Sequence, residues 1–424
     1  MDSITDRGPG LKNLRFKDGF GTVVFLLTLY MTSVLAFSSS PELNIYSHLL
    51  FFVSFGGCAV YLNRNHGRLH FSPYMFYLLL FIMWCVVTML WAEDAGKSFE
   101  MVVTLTELLI SSVILFSFLV SVGNVDFFLI SMFVAGMLGS FYMLGYYGFS
   151  GYMEMLKEGE RAGQEISNVN VIGMYMAIAV LIGFYLAYIK GKLYCYVLIA
   201  LPLVMALGSG SRKVLVILVV GISLMLLLDS VQKFDIKKFV RIAIIVIILI
   251  VVAIWISEQS IFNTIFERFE QMTGATGKVD GSTLKRQKMI VAGWKYFKEH
   301  PFTGTGINNA GVMTKKAIGW ETYLHNNFVE LLATTGIIGF TFYYAVYVYL
   351  VFNLFKNYRK THNPTTIFLL SLLITRTIIE YGAVTYYDKM NMIYLTAAAV
   401  DVCITKRKLK EQKREYYEQS IRES

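Results

Sequence analysis

Apolar stretches of roughly 17 to 25 residues, the length a helix needs to cross a bilayer, recur along the whole chain. The first runs from about Gly19 to Phe37. Others centre near Phe52, Phe81, Val113, Gly136, Ala179, Ala200, Val220, Ile248, Ala345, Leu372 and Leu395. Inside lipid every backbone polar group needs an internal partner, so such runs are read as helices. The pattern predicts an all-α, polytopic integral membrane protein of about twelve spans. The opening run has the position of a signal peptide, but its length and the spans behind it predict an uncleaved first helix.

The longest interruption lies between about Ser257 and Tyr323. Loops of that length are functional or disordered by default. Through Gly281 it is polar and Gly/Thr-containing. From Leu284 to Glu299, Met289, Ile290, Trp294 and Phe297 recur at helical spacing among Lys285, Arg286, Lys288, Lys295 and Lys298. That spacing predicts a basic amphipathic helix suited to a membrane surface, and Pro301 stops it. The expected organisation is spans one to nine over 1–256 and an extracytoplasmic loop over 257–323, with its helix at 284–299. Spans ten to twelve follow over 324–404, and a basic cytoplasmic tail over 405–424.

Composition agrees with this class. Of 424 residues, 56% are hydrophobic and only 16% charged, whereas soluble domains carry about a quarter charged residues. The net charge of +9 does not point to nucleic acid, because the basic residues sit in short clusters between apolar runs. Those clusters orient the chain. They comprise Lys12, Arg15 and Lys17 before span one, Arg64 and Arg68 after span two, and Lys190 and Lys192 after span six. Lys233, Lys237, Lys238 and Arg241 follow span eight, Lys356, Arg359 and Lys360 follow span ten, and Lys406, Arg407, Lys408 and Lys410 follow span twelve. By the positive-inside rule both termini are expected in the cytoplasm. Only the short gap after span four says nothing. Cys58, Cys85, Cys195 and Cys403 all lie in apolar surroundings and read as small hydrophobes.

With that orientation, the polar exceptions become candidates. Gly208-Ser209-Gly210-Ser211-Arg212-Lys213 falls outside, between spans seven and eight. A Gly/Ser turn opening a helix suits an anion. A lone arginine at a helix end equally suits a snorkelling anchor. A second external loop leads through Arg161 to Asn168 and Asn170 at the mouth of span six. Within the spans lie Glu107, Arg376 and Glu380; the last two are four residues apart, share a helix face and can pair. Intramembrane charges face the protein interior and line cavities, or clamp helices together. His325-Asn326-Asn327 stands where the long loop enters span ten. Asn is a good N-cap; an imidazole at a membrane entry point needs another explanation. Metal catalysis is not signalled: His325 and Glu330 are about 140° apart around a helix. No nucleotide-phosphate loop exists. An enzyme of this kind must use an activated substrate already in the membrane.

The C-terminal segment resembles the O-antigen ligase and polysaccharide polymerase superfamily. The resemblance rests on Arg286, Trp294, His300-Pro301, Gly304-Thr305-Gly306 and then HNNFVELLATTGIIGF from His325. Gly208 to Lys213 is similar to the family's external Ser-x-Ser-Arg turn. Arg161-Ala162-Gly163 through Asn168 and Asn170 resembles its Arg-x-x-Gly…Asn entry, with the Gly one residue early. The likeness covers about Arg161 to Phe340.

It implies a metal-independent, inverting glycosyl transfer at the outer face of the bacterial cytoplasmic membrane. The donor is a glycan on undecaprenyl diphosphate, a substrate rather than a cofactor, and no cofactor is expected. The acceptor is a second lipid-linked repeat unit for a polymerase, or lipid-A core for a ligase. Polymerase is the expected activity. Ligase and polysaccharide transporter or flippase are the alternatives. The implied partners are lipid-linked oligosaccharide, membrane lipid and other polysaccharide export and assembly proteins. The chemistry fits the residues. Arg212 and Arg286 supply permanent positive charge to a diphosphate leaving group, and His325 is the natural general base for a sugar hydroxyl. Arg161, Asn168, Asn170, Ser211, Lys213, Gly304, Gly306, Asn326, Glu330, Arg376 and Glu380 are the candidate substrate contacts. Capping for Asn326 and simple turn geometry for Gly304 and Gly306 remain the alternatives.

Overall fold

The computed structural model describes residues 18–37, 43–158, 160–163, 165–166, 168–231 and 281–423. The ninth span near Ile248, the first part of the long loop, and the basic clusters at Lys12 to Lys17 and Lys233 to Arg241 lie outside them. The described residues form an all-α membrane protein. The N-terminal helices are α1 (Phe20–Phe37), α2 (Asn44–Arg64), α3 (Pro73–Thr88), α4 (Ala95–Val122) and α5 (Asp126–Glu158). Next come α6 (Val169–Tyr188), α7 (Cys195–Leu198), α8 (Ala200–Gly208) and α9 (Arg212–Ser230). The C-terminal part holds α10 (Gly281–Glu299), α11 (Ala310–Ile318), α12 (Asn327–Thr361), α13 (Pro364–Ile379) and α14 (Lys389–Glu423). Seven of these are long and apolar enough to cross a membrane: α1, α2, α4, α5, α6, α9 and α12. Shorter apolar helices fill the positions of spans three, seven and eleven.

Caps and breakers set the boundaries. Asp94 caps α4 by accepting from the Lys97 N–H, and Gly123 closes it in the left-handed conformation. Proline opens α3 and α13 at their first turns, where its missing N–H costs nothing. Span seven is divided at Ile199 into α7 and α8, just before Pro202. Helix α5 runs on to Glu158 through a kink at Gly148, so part of the external loop expected from Ser150 is helical. The basic tail continues α14 without a break.

The turns sort to two ends. At one end Trp91 donates to the Gly304 carbonyl, the Asp94 N–H to Asn309, Arg161 to the Ser209 carbonyl and the Asn327 N–H to the Glu380 carbonyl. At the other, Asp126 holds Lys190 at 2.6 Å and Thr365 at 2.8 Å, and the His70 N–H donates to Ser117. The described clusters assigned to the cytoplasm therefore lie opposite His325.

Helix lengths differ. At 1.5 Å per residue, the 16 residues of α13 rise about 24 Å, less than a hydrocarbon core of about 30 Å. The 28 residues of α4 rise about 42 Å.

Helix α10 matches the helix expected at 284–299. Its apolar side, however, is docked on protein. Met289 packs with Ala310, Met313, Leu324, Val329 and Ala333 in a small core of its own under the loop. Val291 and Trp294 remain exposed on another side. Helix α11 was not expected. It is anchored by buried Asn309, whose side chain reaches the Asp94 N–H, Ser98 and the Ile307 carbonyl. Ser98 donates to the same Ile307 carbonyl at 2.6 Å. The α3–α4 turn, legible in sequence only as hydropathy, thus supports the loop.

Candidate functional site

His325 has a left-handed backbone, φ 56°. For a non-glycine residue that conformation costs about 1–3 kcal/mol unless its surroundings impose it. Three contacts do so. Asn326 caps α12 by accepting the Val329 N–H at 3.0 Å. Glu330, buried one turn into the helix, reaches back and accepts the Leu324 N–H at 2.8 Å. On the open side, the Tyr323 ring lies 4.1 Å from the imidazole, centroid to centroid. The sequence H-N-x-x-x-E is therefore a device that clamps a turn from both sides and projects one imidazole from it.

That imidazole is half-buried and faces cations. Burial, then the Arg286 guanidinium and the Lys213 ammonium, push its pKa down to about 3. The ring is neutral at physiological pH, with a lone pair available. Tyr323 keeps its proton, because burial raises its pKa, and its hydroxyl hydrogen-bonds Asn168.

The cations arrive on three separate segments. Arg286 comes from α10. Arg212 and Lys213 open α9, whose N-cap is Ser211. Arg161 fastens the third segment: its Nε donates to the Ser209 carbonyl at 2.8 Å and its second nitrogen to Asn170 at 2.9 Å. The Ala162 N–H adds a bond to the Gly208 carbonyl at 3.0 Å. Gly210, at φ 59°, supplies the reversal that a side chain resists. Lys213 lies within electrostatic reach of Arg286, Arg376 and Arg161. Ser211 is buried, yet its hydroxyl has no hydrogen-bond partner among the described residues. Buried hydroxyls are normally paired. Gathered cations, a helix N-terminus and an unpaired hydroxyl make an anion cradle.

Other candidates have internal roles. Arg376 does not pair with Glu380. Its partner is Asp388, at 3.3 Å, with side chains 1% and 13% exposed. Asp388 also accepts from Tyr175 of α6 at 2.8 Å. Glu380 ends α13, and its carboxylate accepts from Tyr347 at 2.6 Å, Tyr344 at 2.7 Å, Thr385 at 2.5 Å and Asn327 at 3.3 Å. The shared helix face suggested a pair, but the turn from 380 to 388 brings in a better-placed carboxylate. Both residues clamp helices. Asn326 and Glu330 are likewise consumed by the His325 turn.

Gly304 and Gly306 approach protein rather than glycan. Both are buried. A Cβ on Gly304 would overlap the Thr334 backbone, and one on Gly306 would overlap Ala92. The Thr305 and Gly306 N–H groups donate to the Ala333 and Thr334 carbonyls at 3.0 and 2.9 Å. Those carbonyls are offered at the Gly336 kink of α12. Glu107, expected to face the interior, is exposed on the outside of the bundle.

Sequence reasoning did not find Asp388, Tyr323 or Asn391. Asn391 binds both Arg376 and Tyr347. Tyr323 stands two residues before His325 without a motif signal, and only packing makes Asp388 and Asn391 neighbours of Arg376.

One known family model matches part of the chain. The O-Antigen ligase family matches residues 196–344, from α7 into α12. The matched segment contains Ser211 to Lys213, Arg286 and the His325 turn. It excludes Arg161, Arg376, Glu380 and Asp388. No curated protein matches the chain. The match supports the resemblance to the O-antigen ligase and polymerase superfamily, and with it a lipid-linked glycan as substrate of a multi-pass membrane protein.

Proposed function

We propose that the protein polymerises undecaprenyl-diphosphate-linked oligosaccharide repeat units into a surface polysaccharide. The reaction is a metal-independent, inverting glycosyl transfer at the outer face of the cytoplasmic membrane. The observation that carries this reading is the convergence of Arg286 and Lys213 on a neutral His325, beside the N-terminus of α9 with its unpaired Ser211 hydroxyl.

The donor's diphosphate lies in the cradle of Ser211, Arg212, Lys213 and Arg286. A sugar hydroxyl of the acceptor lies against the His325 ring. His325 takes the hydroxyl proton as the oxygen attacks the anomeric carbon. The bond from that carbon to the diphosphate oxygen breaks with its electron pair. Undecaprenyl diphosphate leaves as the anion, and the new glycosidic bond has inverted configuration. The cations stabilise charge that grows as the bond breaks, and a site recessed in low dielectric strengthens them. Arginine forks suit phosphate oxygens better than point charges.

The depressed basicity of His325 couples the two substrates. With the cradle empty, Arg286 and Lys213 oppose protonation of the imidazole. A bound diphosphate compensates them, and the ring becomes a competent base only when the donor is present. Arg161, Asn168 and Asn170 hold the cradle in place.

The name of the matching family favours one second reading, transfer of the finished glycan to lipid-A core or another acceptor. The test uses purified protein, a synthetic undecaprenyl-diphosphate oligosaccharide and EDTA, resolved on a gel. A ladder from wild type and none from His325→Ala supports the polymerase. Product only after addition of a lipid-A core acceptor turns the reading to ligase. Uptake or flipping in liposomes without any glycosidic product rejects both.

A further inference from the structure

The cradle and the His325 turn come from distant parts of the chain, and the connection between α5 and α6 touches both. Its first end meets the turn that leads into the cradle. Arg161 Nε donates to the Ser209 carbonyl at 2.8 Å, and the Ala162 N–H to the Gly208 carbonyl at 3.0 Å. The Gly163 N–H donates to the Tyr147 hydroxyl at 2.9 Å, which anchors this end on α5. The second nitrogen of Arg161 crosses to the other end of the connection and donates to Asn170 Oδ1 at 2.9 Å. There the Asn170 N–H donates to Asn168 Oδ1 at 3.1 Å, and Asn168 caps α6. With that oxygen engaged, the Asn168 amide nitrogen is the group left to donate, and its partner is the Tyr323 hydroxyl. The Tyr323 ring lies 4.1 Å from the His325 ring, inclined by 49°. An unbroken series of contacts thus runs from the Ser209 carbonyl to the imidazole.

The series supplies what the Glu330 clamp does not. Glu330 holds the Leu324 N–H, and Leu324 is fully buried, so the backbone between Tyr323 and His325 is fixed. The terminal torsion of a histidine is broad, however. A general base has to point a nitrogen at the proton it takes, at about 3 Å. The Tyr323 ring packs against the imidazole and limits its rotation. A phenylalanine would pack there too; the hydroxyl serves to tie the ring to Asn168.

We propose that Tyr323 is a positioning residue: held by Asn168, its ring sets the rotation of the His325 imidazole and registers the base against the cradle that Arg161 fastens. This rests on the glycosyl-transfer reading above, because that reaction requires base and diphosphate to be aligned.

The experiment is a double-mutant cycle on the full-length protein. Tyr323→Phe keeps the ring and loses the hydroxyl. Asn168→Ser keeps a cap oxygen for α6 and loses the amide nitrogen. In the polymerisation assay each is expected to lower kcat about three- to tenfold, as loss of one neutral hydrogen bond implies, with the donor KM unchanged. The double variant is expected to lose no more than either single one, because both remove the same contact. Losses that multiply in the double variant, an unchanged kcat in Tyr323→Phe, or a loss confined to KM overturn the proposal.

A second readout needs no catalysis. Diethyl pyrocarbonate modifies neutral imidazoles, and peptide mass spectrometry follows His325 with the exposed His300 as internal reference. Both single variants are expected to raise the His325 rate about threefold or more, the scale of one hydrogen bond, and to leave His300 unchanged. An unchanged His325 rate overturns the proposal. If wild type forms no glycosidic product while the His325 rate still rises in both variants, the hold of Tyr323 on His325 stands and the glycosyl-transfer reading fails.

Discussion

The carboxylate of Glu330 accepts the Leu324 N–H at 2.8 Å across the turn that carries His325. Glu330 never reaches the imidazole itself. It acts by fixing the backbone from which the ring projects, in a conformation, φ 56°, that the residue would not choose.

Glu330→Ala should therefore lower kcat more than it raises KM. Loss of one partner from a buried hydrogen bond costs about 1–3 kcal/mol. A fall in kcat of about ten- to hundredfold corresponds to that range. Glu330→Gln retains an acceptor oxygen and should recover most of the rate. A purely structural role would move protein yield and leave the kcat-to-KM split alone.

Burial, then Arg286 and Lys213, lower the His325 pKa to about 3, well under its ordinary value of about 6.5. The acid limb of kcat/KM should then lie far below pH 6.5 in the free enzyme. Lys213→Met removes one opposing charge, so the limb should move up in pH while the maximal rate falls. A pH–rate profile of both proteins decides it; an unmoved limb rejects the coupling.

The same shift carries a stability signature. As pH drops below about 6.5, the unfolded chain takes up a proton that folded His325 refuses. The unfolded state binds more protons, so stability falls with falling pH, from about 6.5 down to about 3. His325→Ala should flatten that segment of a melting-temperature-against-pH curve.

Asp388→Asn leaves the Arg376 guanidinium buried without its counter-charge. Breaking a buried pair from one side costs about 3–5 kcal/mol. The variant should lose folded protein in detergent, whereas Arg376→Met combined with Asp388→Asn should be milder. Thermal unfolding of the two variants beside wild type checks the ordering. Glu380 should not substitute as partner, because its oxygens are already taken by Tyr344, Tyr347 and Thr385.

Gly304→Ala and Gly336→Ala should abolish folded protein, since the added carbon meets backbone atoms of Thr334 and Phe302 respectively. Gly319→Ala is the control. It has a similar positive φ, 87°, and open space around it, so only the backbone strain of about 1 kcal/mol applies. Fluorescence size-exclusion of the three variants separates close packing from conformation.

The described spans, the α10 helix and its stop at Pro301, and the sorting of the described basic clusters to one end were determined by the sequence itself. Each is a local property: apolar run length, helical periodicity, or proximity of lysine and arginine to a span. His325 with its Asn326 cap was legible for the same reason, because capping acts over three residues. The tertiary structure decided the rest. It gave Arg376 to Asp388 rather than Glu380, turned Glu330 back onto Leu324, packed Gly304 and Gly306 on Thr334 and Ala92, and set Lys213 beside Arg286 to act on His325. It also placed Glu107 outside the bundle. These relationships join residues far apart in the chain or on separate helices. Helix rotation and relative depth decide them, and the hydropathy of a single span specifies neither.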